Sequence, residues 1–120
     1  MSRPENSRNI LDEVLHLSGG FSEADRPRAL DALSALVPHL SRWQPHEMLV
    51  DVSVKDRDGR EQTVTLRAEL SGYPQLLAKA SNAHLDAALV DARREFVRQL
   101  EDEKKKRDPK SNRMLRKKSP

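Results

Sequence analysis

The stretch EMLVDVSVKDRDGREQTVTLRAEL, residues 47–70, decides the fold of this chain. Apolar and polar side chains alternate in both of its halves. The apolar positions are Met48, Val50, Val52 and Val54, followed by Val64, Leu66, Ala68 and Leu70. This period of two predicts two strands that each bury one face. Asp58-Gly59 supplies residues that tolerate a positive φ, so the stretch is predicted to be a hairpin with a tight turn.

A third strand is predicted after a turn at Ser71-Gly72. In YPQLLAKAS, residues 73–81, the side chains of Leu76, Ala78 and Ala80 share one face, and Pro74 suits the start of a strand. The three strands form an antiparallel meander.

The N-terminal part of the chain is ambiguous. Residues 1–9 are polar and are predicted to be a flexible lead. In ILDEVLHLSGG, residues 10–20, the apolar residues have helical spacing, whereas Val14 to Leu17 equally suit a short strand before a Gly-rich turn. We favour a strand at about residues 13–18.

Two amphipathic helices are predicted from apolar residues at steps of three and four. The first has Ser22 as its N-cap, and Pro38 kinks or ends it. Its apolar stripe comprises Ala29, Leu30, Leu33, Leu36, Val37 and Leu40. The second is capped by Asn82 and does not continue past Pro109. Its stripe comprises Leu85, Ala88, Leu89, Ala92, Phe96 and Leu100. The predicted order is β-α-β-β-β-α, an α+β domain over residues 10–107.

Charge is distributed unevenly along the chain. Residues 1–100 contain thirteen Lys/Arg and fifteen Asp/Glu, whereas residues 101–120 contain nine against four. Met114 and Leu115 are the only sizeable apolar residues of EDEKKKRDPKSNRMLRKKSP beyond the helix. Residues 108–120 are therefore predicted to be a disordered basic tail when free.

The outer side of the second helix continues this basic character. At 100° per residue, Arg94, Arg98 and Lys105 fall within about 40° of one another, opposite the apolar stripe, and Arg93 flanks them. An isolated stripe of this kind is often just a solvated surface. Its continuity with the tail favours a phosphate-binding edge that gains affinity from counterion release. The candidate RNA-binding residues are Arg93, Arg94, Arg98, Lys104, Lys105, Lys106, Arg107, Lys110, Arg113, Arg116, Lys117 and Lys118.

Catalysis, metal binding and membrane insertion are not predicted. The chain has no cysteine, which excludes thiol catalysis and zinc–thiolate sites and fits a reducing cytoplasm. The four histidines have no partner at i+3 or i+4, and no nucleophile or phosphate-loop motif is present. The few aromatic residues do not predict a base-stacking platform. Without a leader or a long apolar run, the chain is predicted to be soluble and cytoplasmic, with no cofactor.

The second helix also carries a family resemblance. HLDAALV, residues 84–90, and EFVRQL, residues 95–100, are similar to the D-M-Y-A-A-I-D and K-L-x-R-Q-L segments of the ribosome hibernation factors, also called sigma-54 modulation proteins. The corresponding residues are Ala87, Ala88, Leu89, Arg98, Gln99 and Leu100. VDVSV, TVTLRAEL and FSEA resemble the family's second strand, its third strand and the start of its first helix. The resemblance covers about residues 13–107.

The resemblance implies a short-form hibernation factor with two helices packed on one face of a four-stranded sheet. Its implied partner is the rRNA of the small ribosomal subunit, where family members overlap the mRNA and tRNA sites and block translation sterically. It further implies a protein that is monomeric when free and binds neither DNA nor membrane. The chain departs from the family at Ala32 and Ala35, which stand about where the family's first helix carries lysines.

Two other functions fit the same elements. The double-stranded-RNA-binding fold also packs helices on one sheet face, but its members usually carry a lysine cluster at the start of the last helix. ASNAHLDAA, residues 80–88, contains no lysine. The third interpretation is a regulatory subunit whose tail contacts an acidic protein.

Overall fold

The computed structural model describes residues 10–107; the predicted lead and tail lie outside them. The first half of the chain contains helix α1 at residues 10–14, strand β1 (Leu15–Leu17), a 3-10 turn (Glu23–Asp25), helix α2 (Arg26–Leu33) and 3-10 segments at Ser34–Leu40 and Pro45–Glu47. The second half contains strands β2 (Met48–Lys55), β3 (Gln62–Leu70) and β4 (Leu76–Asn82), followed by helix α3 (Leu85–Arg107). The strands form one sheet in the order β1-β2-β3-β4, and α2 and α3 share its core. The predicted α+β class and the order β-α-β-β-β-α are confirmed, with α1 as an addition.

The predicted meander makes up three of the four strands of the sheet. β2 pairs antiparallel with β3 from Met48 opposite Leu70 to Lys55 opposite Thr63. β4 pairs antiparallel with β3. The eight apolar side chains predicted to face the core from β2 and β3 are all buried. The period of two therefore gave the correct face, because a strand that buries one side of its sheet places every second residue there.

The hairpin turn differs from its prediction. The residues with positive φ are Asp56 at 59° and Asp58 at 68°, and Gly59 is not one of them. Gly59 donates its N–H to the Asp56 carbonyl oxygen at 2.9 Å. The buried side chain of Gln62 accepts from the Asp58 N–H at 3.2 Å and donates to the Ala83 carbonyl at 2.9 Å. The hydrogen bond to Ala83, just before α3, holds a broader loop than the Asp58-Gly59 dipeptide alone predicts.

The ambiguous N-terminal stretch contains both structures. Residues 10–14 are helical and β1 covers only Leu15–Leu17, so the strand predicted at 13–18 is shorter than expected. Leu11 and Val14 are buried from the helical part, at a spacing of three. β1 pairs in parallel with β2, with Leu15 opposite Val50. A parallel pair requires a crossover, which α2 and its flanking segments provide.

The first predicted helix consists of a 3-10 turn, α2 and a 3-10 segment in succession. Ser22 precedes it as predicted, and its N–H donates to the Asp25 carboxylate at 2.8 Å. In an α-helix, the ring of Pro38 would clash with the carbonyl of Ser34, four residues earlier. The α-helical geometry accordingly ends at Leu33. The apolar stripe still faces the core after the helix changes to 3-10 geometry, since Ala29, Leu33, Leu36 and Leu40 are buried.

Helix α3 packs on the core with the side that the sequence predicts. All six stripe residues are buried, and Phe96 is the largest fully buried side chain of the core. Asn82 is the last residue of β4, and its Oδ1 accepts from the His84 N–H at 3.0 Å. The His84 carbonyl accepts from Ala88 at 3.0 Å. His84 is therefore the residue that begins the helical hydrogen bonds, and the predicted cap lies two positions before it.

Candidate nucleic-acid interface

Helix α3 carries seven of the twelve predicted RNA-binding residues. The structure describes the side chains of six of them, and Arg107 is the last residue of the helix. The five tail cations lie outside the described residues. The buried stripe sets the direction of each side chain. The helix therefore shows which cations face solvent and which are held within the domain.

Arg93 joins the two helices. Its Nη1 donates to the Ala32 carbonyl oxygen at 3.0 Å. Ala32 stands in the last turn of α2. This guanidinium thus connects α3 to the end of α2 inside the protein.

Arg98 faces solvent but is surrounded by acids of its own helix. Its side chain is 61% exposed, and its Nη2 lies 2.6 Å from Glu95 Oε2 and its Nη1 3.3 Å from Asp102 Oδ2. The Arg98 guanidinium, assisted by the Gln99 amide, lowers the pKa of Glu95 to about 2. The charge of Arg98 is locally balanced at neutral pH.

Lys104 and Lys106 also have partners. Lys104 Nζ donates to the His39 carbonyl oxygen at 2.9 Å and lies 3.5 Å from the Glu101 carboxylate, with 20% of the side chain exposed. A hydrogen bond from the His39 ring lowers the pKa of Glu101. Lys106 lies 3.5 Å from Glu103 and is largely exposed. Lys104 therefore connects the end of α3 to the 3-10 segment, whereas Lys106 remains accessible.

Arg94 and Lys105 are the predicted cations that are left free. Both are exposed, and neither forms a hydrogen bond or an ion pair with any residue from 10 to 107. Eleven residues separate them, so they lie about 20° apart around the helix and about 17 Å apart along it. They form a thin basic line that leads toward the C-terminal end of α3.

The folded domain as a whole is slightly acidic. Residues 10–107 contain fifteen Lys/Arg and seventeen Asp/Glu, whereas residues 108–120 contain five against one. The domain alone therefore attracts a polyanion only weakly at long range, and binding of a polyanion depends on local groups of cations. The tail holds the densest cluster.

Cations of the first helical region are engaged elsewhere. Arg26 lies 2.7 Å from Asp12, and Arg28 lies 2.7 Å from Asp86 at the start of α3. Arg42 donates to the Tyr73 hydroxyl at 2.9 Å and covers the Trp43 ring. The region that is poor in lysine in the sequence is thus also poor in unpaired arginine among the described residues.

One ion pair was not anticipated from the sequence. Arg57, in the loop after β2, binds both carboxylate oxygens of Asp25 at 2.6 and 2.9 Å, and its Nη1 also donates to the Gly20 carbonyl. The Arg57 hydrogen bonds hold the pKa of Asp25 well below its ordinary value. No local pattern relates these residues, which are 32 positions apart.

Other kinds of site are not found in the described part of the chain. Within residues 10–107, no cluster of His, Asp or Glu is arranged to hold a metal ion. No helix in that range is long and apolar enough to cross a membrane. The outer face of the sheet carries no Phe, Tyr or Trp in these residues, so a base-stacking platform is not formed there.

Comparison with known proteins relates the fold to one solved domain. No family model matches the chain, and no curated protein matches its sequence. The N-terminal domain of Protein Y from Thermus thermophilus matches with a TM-score of 0.54 and 20% identity, over 72% of this chain and 93% of that domain. The fold is that of the Protein Y N-terminal domain. Nearly all of the Protein Y domain thus has a counterpart here.

Protein Y belongs to the ribosome hibernation and sigma-54 modulation family. This is the family that the sequence resembles, most specifically along α3. At 20% identity the match with Protein Y is one of fold. It agrees with the interpretation of the sequence, which rests on the predicted order of the elements and on short segments.

Proposed function

We propose that this protein is a ribosome-associated factor that binds the rRNA of the small ribosomal subunit and blocks its mRNA and tRNA sites. The observation that best supports this proposal is the match to the Protein Y N-terminal domain over nearly the whole of that domain. The basic tail, which follows directly from α3, supplies the charge that an rRNA partner requires.

The proposed contact surface runs from Arg94 through Lys105 and Lys106 into the tail. Arg94 and Lys105 are exposed on one side of α3 and are unpaired among residues 10–107. Phosphate contacts by such cations fix position and add affinity without reading base sequence. Arg93, Arg98 and Lys104 contribute less, because each already has a partner within the domain.

Inhibition on this proposal is by occupancy alone. A domain that fills the path of mRNA and tRNA prevents their binding for as long as it stays bound, and releases the ribosome unchanged. Its effect depends on its concentration relative to ribosomes and on its dissociation constant. Salt weakens the binding to the ribosome, because the contacts are made to phosphate groups.

The start of α3 distinguishes this proposal from a double-stranded-RNA-binding module. That end carries no lysine, and its first-turn acid, Asp86, is paired with Arg28 at 2.7 Å. The pair carries no net charge, so it offers phosphate no excess of positive charge. The surface proposed here lies toward the opposite end of the helix.

Sedimentation through a sucrose gradient tests the partner. The protein is expected to co-sediment with isolated small subunits and not with isolated large subunits. An Arg94→Ala/Lys105→Ala variant should bind more weakly than a Lys55→Ala/Arg60→Ala variant. The second variant changes the net charge equally, because it removes two exposed cations of the β2–β3 loop region that have no partner among residues 10–107. Equal weakening of binding by the two variants would show that the net charge, and not the position of the cations, determines the affinity.

Cell-free translation tests the consequence of binding. Synthesis is expected to fall when the protein is added at roughly stoichiometric amounts relative to ribosomes. Translation that continues unchanged at a several-fold excess of protein, under salt conditions in which the protein co-sediments, would overturn the inhibitory function while leaving ribosome binding intact.

A further inference from the structure

An apolar cavity lies between α1, the Ser34–Leu40 segment and the start of β2. Its volume is about 220 Å³, and its apolar lining comprises Ile10, Leu11, Val14, Val37, Leu40, Trp43, Pro45 and Met48. Sites for cofactors and small molecules usually measure about 300 to 1,000 Å³. This cavity is smaller, and its lining suits aliphatic side chains of a peptide.

The last turns of α3 lie close to this cavity. Lys104 Nζ donates to the His39 carbonyl oxygen at 2.9 Å, one residue before the lining residue Leu40. It also lies 6.0 Å from the centre of the Trp43 ring. The chain that continues from α3 therefore starts next to the cavity.

The next segment of the chain contains side chains of the right kind. Met114 and Leu115 are adjacent, and they are the only sizeable apolar residues of 108–120. Seven residues separate Arg107 from Met114, and an extended chain of that length spans about 23 Å. Methionine is unbranched and fills irregular apolar spaces well.

Charge around the cavity is compatible with this segment. Arg113 and Arg116 flank the apolar pair. Glu13, next to the lining residue Val14, is exposed and has no ion-pair partner among the described residues. A carboxylate next in sequence to the cavity lining is compatible with an apolar peptide that has cations on either side.

We propose that this cavity binds Met114 and Leu115 of the protein's own C-terminal tail. Because the linker from α3 is short, the effective concentration of the pair at the cavity is on the order of millimolar, so that modest contacts suffice. The docked tail runs back over α1 and holds its cations beside the domain. This contact is independent of whether the protein binds ribosomes.

Paramagnetic relaxation enhancement on the full chain tests the contact. The sequence has no cysteine, so Ser119→Cys provides a single position for a nitroxide label. The methyl signals of Leu11, Val14 and Val37 are expected to lose most of their intensity. Leu85, at the far end of α3 about 33 Å from Arg107, should keep its signal. Cavity signals as strong as that of Leu85 would overturn the proposal.

Two tail variants separate apolar docking from electrostatic attraction. Met114→Ser/Leu115→Ser retains every tail charge and should restore the cavity signals. Lys117→Ala/Lys118→Ala retains the apolar pair and should leave the signals broadened. The reverse pattern would contradict docking in the cavity.

A mixed sample identifies which molecule supplies the tail. Isotope-labelled protein without nitroxide is combined with unlabelled protein that carries the nitroxide. Intramolecular docking predicts that the cavity signals of the mixed sample keep their intensity. Broadening in this sample would assign the cavity to the tail of a second copy and would overturn the proposal.

Discussion

Arg93 on α3 donates from Nη1 to the Ala32 carbonyl oxygen of α2 at 3.0 Å, while its neighbour Arg94 is exposed and unpaired among residues 10–107. Two adjacent arginines therefore have different roles. One connects the helices, and the other is available to a ligand.

This difference predicts opposite effects of the same substitution. Arg93→Ala removes a hydrogen bond from a charged donor and is expected to lower the free energy of unfolding by roughly 1 to 3 kcal/mol. Arg94→Ala should change it by no more than about 0.5 kcal/mol, because it removes no contact within the described domain. Urea unfolding measures both. Equal destabilisation by the two variants would contradict the assigned directions of the side chains.

The same pair should also differ in RNA affinity. Arg94→Ala is expected to weaken ribosome binding at low salt, whereas Arg93→Ala should weaken it less once the variant is shown to be folded. A larger loss for folded Arg93→Ala than for Arg94→Ala would place the RNA contact on the other side of α3.

The bidentate pair of Arg57 with Asp25 predicts a specific contribution to stability. Arg57→Ala should lower the free energy of unfolding by roughly 1 to 3 kcal/mol at neutral pH, because it leaves the largely buried Asp25 carboxylate without its charged partner. Arg60→Ala, in the same loop, is the control and should stay within about 0.5 kcal/mol of the wild type.

The pH dependence of this pair follows from the lowered pKa of Asp25. In the unfolded chain the carboxyl titrates near its ordinary value of 3.8, and in the folded protein it titrates lower. Its contribution is therefore fully present above pH 3.8 and is lost as the pH falls below that value. The stability difference between the wild type and Arg57→Ala should shrink in that acidic range. A difference that stays constant there would contradict the pairing.

A comparison of two glycines tests the close approach of the turn after β1 to β2. Gly20 has φ +90°, and a Cβ at this position would collide with the Val54 carbonyl oxygen, whereas Gly72 has φ +85° and open space around it. Gly72→Ala should cost about 1 to 2 kcal/mol from the backbone alone. Gly20→Ala should cost distinctly more, as measured by thermal unfolding. Equal costs would show that the turn does not approach β2 closely at Gly20.

The sequence predicted the parts of the fold that local periodicity specifies. The alternation in residues 47–70 and the stripe that ends at Leu100 both gave the correct buried faces, because each depends on the geometry of a single element. The hairpin turn was less predictable. Its conformation depends on Gln62, which bonds to the start of α3 at Ala83.

The candidate site was predicted less completely for the same reason. Helical phase identified which cations lie away from the core, and Arg94 and Lys105 are indeed exposed. The partners of Arg93 and Lys104 come from residues more than sixty positions away, Ala32 and His39. No periodicity within α3 reveals such partners, so the sequence overestimated the number of free cations.

The salt dependence of binding to isolated small subunits tests the central claim most directly. The full chain is compared with a chain that ends at Arg107 and therefore lacks five cations and one acid. Each neutralised phosphate contributes a slope of roughly 0.7 to 0.9 to the fall of log K with log salt. We expect the truncated chain to have a slope smaller by about two to four units and to bind at least about tenfold more weakly at low salt. Parallel lines for the two chains, or no binding of the full chain to small subunits at any salt concentration, would contradict the claim that this protein holds the ribosome through its basic tail.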